Sequence, residues 1–348
     1  MVDFLFKQGD FEILADNVGA LMPPAMNQLV KKCGCVSHQS FEVSTKTPEE
    51  FIGALIEMKH WSVLEHSWFT FQIKVKNKYK QRDLELELLQ SNHLFCLDEV
   101  DQSIFISGNS RMFNEAYLRN KDSEIINNLM VYLSNYNSVL FPIKTIYWLP
   151  TNRYSLIFNP TFSNKSLILH HRAMTVLFNN VSRGFTHEDV RSRNGHNKVA
   201  SYTQESTRYV NPMRKGGFKF ILPYQEIDVT QKINLDTEEE TIASFTSKIE
   251  KMYVALIALG LKAEEARQWL PIGIKSQIVQ TFNLDEWRHW FFIRTQKAAH
   301  PEIRFVACNL LQEVQSRLPQ IFDDFEIQVD KNNSNFTIYQ GQESIELI

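Results

Sequence analysis

The chain has 348 residues, of which 43% are apolar and 12% aromatic, and its formal net charge is -3. This composition excludes an intrinsically disordered chain and argues against a general nucleic-acid binder, although it leaves room for a local basic pocket. The length allows one large domain or two, with ample core.

Along the chain, the N-terminal "MVDFLFKQGDFEILADN" mixes acids with apolar residues, unlike a secretion signal. No apolar run approaches the roughly 20 residues of a membrane span, so a soluble, cytoplasmic protein is expected. Thr47-Pro48-Glu49-Glu50 predicts a helix start, with Thr as N-cap, Pro at the first helical position and Glu at the third. Phe51, Leu55 and Met58 follow at helical spacing. "HWSVLEH" (His60 to His66) interrupts, and the alternation of Phe69, Phe71, Ile73 and Val75 predicts a half-buried strand.

From Lys76 to Ser166 the pattern is less regular. "YKQRDLELELLQ" predicts a helix, "FISGNSRMFNEAYL" a loop and then a helix, and "NNLMVYLSNYNSVLF" another helix. The segment reads as a helical insertion packed on the main domain.

Ala173 to Arg183 predicts a buried strand, and a short helix begins near Thr186. "GGFKFILP" predicts a strand ending at Pro223. "TEEETIASFTSKIEKMYVALIALGL" predicts a long amphipathic helix, with a second beginning near Ala263. Asn283 is a further N-cap with Glu286 three residues on, heading a helix with Trp287, Trp290 or Phe291, Arg294 and Ala298 on one face. Another helix runs from Pro301 to Leu318, and "FEIQV" and "FTIYQ" predict a closing hairpin. The expected organisation is a single domain over 1–348, with the 76–166 insertion and a hairpin extension at 321–348.

Several polar residues carry chemistry. Arg294 lies on an apolar helix face, where a guanidinium needs either an internal carboxylate or an anionic ligand. Arg191, Arg193 and Arg208 gather near Ser201, Ser206, Thr207 and Tyr209, a set suited to phosphate or to a solvated surface. There is no glycine-rich phosphate loop. His60, Glu65 and His66 have the wrong spacing for a metal-binding helix and read as a capping or ligand-contacting loop. His170-His171 reads as a strand-end pair without a role. Cys33, Cys35, Cys96 and Cys308 complete no zinc site and read as free thiols, so no metal is expected.

In order, these segments resemble the flavin-dependent thymidylate synthases. "HWSVLEHSWFTF" is similar to that family's H-x-(S/T)-x-x-E-H segment. "SRGFTHEDVRSR" with "ASYTQESTRYV" resembles its signature R-H-R-x-x-S-x-(N/S/T)-(E/Q)-x-S-x-R-Y. "EARQWLP" resembles A-R-x-x-L-P, and "NLDEWRHWFFIRTQKAAHPEIR" resembles the family's closing helix pair. "SGNSRMFNEAYL" is similar to a segment of longer members. The resemblance implies a mixed α/β (α+β) fold, with a mostly antiparallel sheet flanked by helices and an inserted helical segment. It also implies a homotetramer with active sites at subunit interfaces, binding FAD, dUMP, methylene-tetrahydrofolate and NADPH.

Carried over by motif, Arg208 and Ser206 hold the dUMP phosphate with Arg267, and Glu188 and Gln204 also contact the nucleotide. Arg294 faces the uracil and favours its N3-ionised form, making C5 nucleophilic without a cysteine. Ser62, Glu65, Arg191, Arg193, Asn283 and His300 contact FAD, and His60 lines the flavin and folate entrance. Ser206 is expected as a phosphate donor rather than a nucleophile, because no base adjoins it.

The chain departs from the family pattern on the flavin side. R-H-R is here Arg191-Ser192-Arg193, and five extra residues precede the signature Ser201. His196 and Lys198 can be slid under the missing positions. Glu188 stands where Gln is common, Asp285 where Arg is common, and Ala298 where a His is common. The nucleotide side stays nearly whole. Two alternatives follow: a flavin and folate enzyme that makes a 5-hydroxymethyl pyrimidine deoxynucleotide, and a nucleotide-binding relative without flavin.

Overall fold

The computed structural model describes residues 3–5, 9–40, 45–77, 80–92, 94–143, 146–162, 164–191, 197–208, 216–222, 227–236 and 238–329, with the backbone of 335–339. A short strand β1 (Asp3–Leu5) precedes β2 (Asp10–Ala15) and the helices α1 (Pro23–His38) and α2 (Pro48–Glu57). A 3-10 segment, Trp61–His66, leads into β3 (Phe69–Val75). Then come α3 (Gln81–Ser91), β4 (Cys96–Val100), β5 (Ser103–Gly108), α4 (Ser110–Arg119), α5 (Glu124–Tyr136), β6 (Tyr154–Phe158) and α6 (Lys165–His171). The long β7 (Ala173–Ser182) runs into α7 (Arg183–Asp189), followed by β8 (Ala200–Gln204) and β9 (Lys219–Ile221). A hairpin of β10 (Ile233–Leu235) and β11 (Glu238–Glu240) precedes α8 (Ile242–Ala258) and α9 (Ala263–Ala266). The chain closes with β12 (Lys275–Asn283), α10 (Leu284–Arg294), α11 (Pro301–Arg317), α12 (Pro319–Phe322) and the pair β13 (Phe325–Val329) and β14 (Asn335–Tyr339).

The fold is mixed α/β, and its two four-stranded sheets are antiparallel throughout. One has the order β2-β7-β12-β8, the other β4-β5-β3-β6. The only parallel pair among the described residues is β1 with β9. The segment expected to be helical does hold α3, α4 and α5, but it also supplies three strands: β5 and β6 flank β3, and β4 pairs with β5 at the edge. Asp101 turns β4 into β5 with a positive φ of 54°. That is a tight reversal a short polar side chain tolerates.

β7 is buried on both faces, which is why it reads as an apolar run. Ala173 and Leu177 point into one core, shared with α1, α2, α4, α5 and β3. Met174, Val176 and Phe178 point into a second core with Trp287, Trp290, Phe291 and the apolar face of α11. The alternation ends at Asn180, whose φ is 49°, and the β12 partner register slips between Ser276 and Ile278.

Helix starts follow local chemistry. Thr47 and Glu50 form the reciprocal capping box expected of them (2.8 and 3.2 Å). Ser182 caps α7 through Phe185 N (2.9 Å), and Asn283 caps α10 through Glu286 N (3.2 Å). α10 ends at Arg294, so Ala298 does not share its face as expected.

His170 and His171, expected to be idle, close α6 onto β4. Both rings reach Asp98 Oδ2, at 2.7 and 3.0 Å. Burial works against ionisation of Asp98, but the two rings outweigh it and hold the carboxyl well below its usual range; the same contact raises His170.

Trp287 is fully buried, donates Nε1 to Met174 O at 3.0 Å and packs on Phe282 at 4.8 Å between ring centroids. Trp287→Ala should cost about 3–5 kcal/mol of stability in urea unfolding. Trp269→Ala, at a residue 70% exposed, should change it by less than about 0.5 kcal/mol.

Candidate active site

The stretch after β8 brings several of the expected residues together. Ser206 N donates to Ser37 O at the end of α1 (2.9 Å), and Ser206 Oγ accepts from Arg208 N (3.2 Å). Arg267 Nη1 donates to Thr207 Oγ1 (3.0 Å), and Arg208 Nε pairs with Glu264 (3.2 Å). A pocket of about 230 Å³ opens here, lined by Arg183, His187, Thr207, Arg267, Leu270 and Ile272 among others.

Arg183 and His187 were not singled out from the sequence. Their spacing of four puts them on one face of α7. That spacing was visible in "SRGFTH", but nothing in the sequence said that Thr207 and Arg267 would face it. Arg183 also donates Nη1 to Glu205 O (3.0 Å). Burial lowers its pKa, and the like charge of Arg267 lowers it further, against Glu205. Two cations held close in a partly dry space gain from an anion between them.

The same short helix leads to Arg294. That residue is 6% exposed at the C-terminal end of α10. Its Nη2 donates to Glu188 O on α7, and its Nε, buried, has no partner among the described residues. Burial lowers its pKa, opposed by Asp189 and Glu188. Among the described residues neither carboxylate forms an ion pair with it within 4 Å, and the Glu188 carbonyl is what holds it. Gln204 donates its amide to Thr186 on α7, and the Glu188 side chain is half-buried.

The residues expected to touch flavin are more dispersed. Ser62 and His60 are exposed. Glu65 pairs with Arg111 of α4 (2.6 Å); burial raises its pKa and Arg111 opposes this. Asn283 is wholly buried: Nδ2 donates to Asn197 O (2.6 Å) and His170 O (3.2 Å), while Oδ1 accepts from Glu286 N and Val199 N. A cofactor contact from Asn283 would displace one of these bonds. His300 is exposed and caps α11, its Nδ1 accepting from Glu302 N (3.3 Å). Arg191 is exposed, Lys198 is half-buried, and Arg193, His196 and Tyr209 lie outside the described residues.

His66 joins the two sides. Its Nδ1 meets Thr281 Oγ1 at 2.8 Å and its Nε2 meets Thr203 Oγ1 at 2.9 Å. Complete burial lowers its pKa to about 3, so the ring is neutral.

Among the described residues no group of histidine, cysteine and carboxylate side chains could hold a metal, and no helix is long and apolar enough to cross a membrane.

Comparison with known proteins places residues 144–320, just over half of the chain, in the family described as "Thymidylate synthase complementing protein". The match takes in Glu188, Arg208, Arg267 and Arg294 but not His60, Ser62 or Glu65. A flavin-dependent thymidylate synthase of Geobacter sulfurreducens is 33% identical over 157 residues, 45% of this chain and 62% of that protein. One of Pyrococcus abyssi is 34% identical over 155 residues, 43% of this chain and 57% of that protein. The chain thus spans less than two thirds of the length of the curated relatives it matches. A crystal structure of a UMP/dUMP methylase from Streptomyces cacaoi overlays 90% of this chain and 92% of its own at 14% identity, with a TM-score of 0.36, too loose a fit to carry function.

The pocket between α7 and Arg267 should bind inorganic phosphate. Arg183→Gln and Arg267→Gln should each weaken that binding about tenfold or more in calorimetric titration, the scale of a hydrogen bond to a charged group.

Proposed function

This chain belongs to the flavin-dependent thymidylate synthase family, and on that premise we propose that it methylates C5 of dUMP to give dTMP. The observation that carries the reading is a buried guanidinium with an unpartnered Nε, Arg294, hung from the same short helix that lines a two-arginine pocket. A nucleotide has an anionic end and a base that must be polarised, and α7 presents groups for both.

In this reading Arg183, Arg267, Thr207, Ser206 and Arg208 bind the phosphate. Glu188 and Gln204 flank the nucleotide. Arg294 stabilises the N3-ionised uracil, raising electron density at C5. The thiolate route to the same end is poorly served. All four cysteines are buried, and burial pushes Cys33 and Cys96 far up and Cys308 up to about 12. Ser206 acts as a donor to phosphate rather than as a nucleophile, since its Oγ already accepts from Arg208 N.

FAD, when bound, would supply the hydride, with methylene-tetrahydrofolate as carbon donor and NADPH as reductant. Ser62, Glu65, Arg191, Arg193 and His300 would hold the flavin, with His60 at its entrance. Asn283 would contact the flavin only by exchanging one of its present bonds. The enzyme would work as a homotetramer. Exposed Phe245, Met252, Val254 and Leu259 on and beyond α8, with Trp269 and Ile272, offer apolar surface for such contacts.

A second reading is favoured by the sealed Asn283 and the Glu65–Arg111 pair: a relative that binds the nucleotide but ends in a 5-hydroxymethyl product, or has lost flavin.

Two measurements separate these. Purified protein should show a bound-flavin absorbance spectrum; colourless protein that cannot be reconstituted with FAD would leave only the nucleotide-binding reading. Mass analysis of product from dUMP, methylene-tetrahydrofolate and NADPH should show an added methyl group rather than hydroxymethyl. Arg294→Ala should lower turnover by about 100-fold or more, and unchanged turnover would remove its activating role. Arg208→Ala should chiefly weaken nucleotide binding, by about 1–3 kcal/mol.

A further inference from the structure

Beneath Arg294 lies a carboxylic acid with no role so far. Asp189, the last residue of α7, is fully buried. Its Oδ1 accepts from Trp290 Nε1 at 2.8 Å. The Gln280 amide nitrogen of β12, in the orientation that satisfies both groups, donates to Oδ2 at 2.7 Å and Oδ1 at 3.1 Å. The backbone carbonyl of Asp189 accepts from Tyr202 OH at 3.3 Å. Trp290 precedes Arg294 by four residues, so both stand on one face of α10. The acid grips that face one turn below the guanidinium, and the neighbouring Glu188 carbonyl holds the guanidinium itself.

We propose that Asp189 is the positioning residue for Arg294: it fixes the face of α10 that carries the guanidinium, and its charge sets how much positive field that guanidinium presents to the base. The inference rests on the reading that Arg294 faces a uracil nucleotide. Asp189 has its oxygens occupied by Trp290 and Gln280, so it acts on Arg294 through the dry interior rather than by direct pairing. At such burial a charge is felt over several ångströms.

Arg294 is the charge felt directly by Asp189 among the described residues. Coupled to Arg294 and its neighbours are His289 and Asp285 from α10, Lys198 before β8, Tyr202 from β8, Glu302 from α11 with His300 at its cap, and Glu188 and Arg191 from or next to α7. Burial dominates and pushes the Asp189 carboxyl up to about 7, with the Trp290 bond and Arg294 pulling the other way. Below that value the acid is neutral and Arg294 keeps its full field. Above it the carboxylate cancels part of the field. The sign for stability follows. An unfolded Asp releases its proton near 3.8, so between there and about 7 the folded chain binds the extra proton, and this group makes folding less favourable as pH rises through that window.

The test follows the Trp290 indole proton, which is donated to Asp189. In protein labelled at the tryptophan indole nitrogens, one nitrogen–proton NMR signal, absent in Trp290→Phe, should titrate with a midpoint near 7. Asp189→Asn should abolish that titration. Arg294→Gln should move the midpoint up by roughly one pH unit. Should Arg294→Gln not fold, Arg294→Lys displaces the charge and reads the same coupling as a changed midpoint. Adding dUMP should move the wild-type midpoint, and by linkage the pH profile of dUMP affinity in wild type should carry a step near 7 that Asp189→Asn lacks, beyond the ionisation of the phosphate at about pH 6 that both proteins share. An indole signal that does not titrate, a midpoint indifferent to Arg294, or parallel dUMP affinity profiles in wild type and Asp189→Asn would each overturn the proposal. A midpoint that responds to Arg294 in protein that binds no dUMP would keep the coupling and remove the nucleotide reading.

Discussion

The site hangs on the antiparallel pairing of β7 with β12. Lys275 opposes Ser182 at one end of the ladder and Asn283 opposes Ala173 at the other. Each strand ends in a capping residue, Ser182 for α7 and Asn283 for α10. The two helices therefore start from opposite ends of the same ladder. Nine residues of strand span about 30 Å, eleven residues of α10 about 16 Å and seven of α7 about 10 Å. Folded back over the same core, the helices together span nearly the length of the ladder, and the side chains of Trp290 and Arg294 close the gap to Asp189 and Glu188. Shortening either helix by a turn would leave the guanidinium without its carbonyl.

The other face of this ladder carries a polar seam. Thr175 and Thr281 bond each other at 2.6 Å, and His66 reaches Thr281 on one side and Thr203 on the other. A neutral imidazole has one donor and one acceptor, while threonine hydroxyls rotate to suit either. The seam is thus satisfied without a buried charge. It also sets distances: the segment with Ser62 and Glu65 is pinned through His66 to β8, the strand that runs on to Ser206 and Arg208. The segment proposed to meet the flavin and the strand leading to the proposed phosphate residues thus share one anchor.

What could be read from sequence was local. The Thr47 box, the Asn283 cap and the buried run of β7 depend on neighbours within a few residues, and all were legible. Ser206, Arg208 and Arg294 stood out by residue type and spacing, but Arg267, and a role for each of the four, were reached through resemblance to a family. Long-range pairings were not legible. Asp98 gives no sign in "CLDEV" that it will meet two histidines more than seventy positions away. β4 and β5 are short strands whose turn has no glycine, only Asp101 in the left-handed region, so the segment read as loop and helix. Asn283 shows the limit most plainly: as a cap it was correctly seen, but its four-way bonding to Asn197, His170, Val199 and Glu286 exists only in three dimensions.

The choice of arginine at 294 follows from the same geometry. A lysine there would have one compact ammonium to satisfy both the Glu188 carbonyl and any ligand, and its flexible stem would not fix the direction of either. A guanidinium is planar and carries five donors in a rigid fork. One arm on Glu188 therefore fixes the plane and the direction of the rest, Nε among them. That pre-organisation suits the proposed role, because a donor already aimed needs no reorganisation when charge develops on a ligand. Keeping such a cation dry has a cost, seen in the burial that lowers its pKa, and the nearby acids reduce that cost without closing on it. A carboxylate in direct contact would stabilise the folded chain more, and would fill the position that the proposed function reserves for a polarised base.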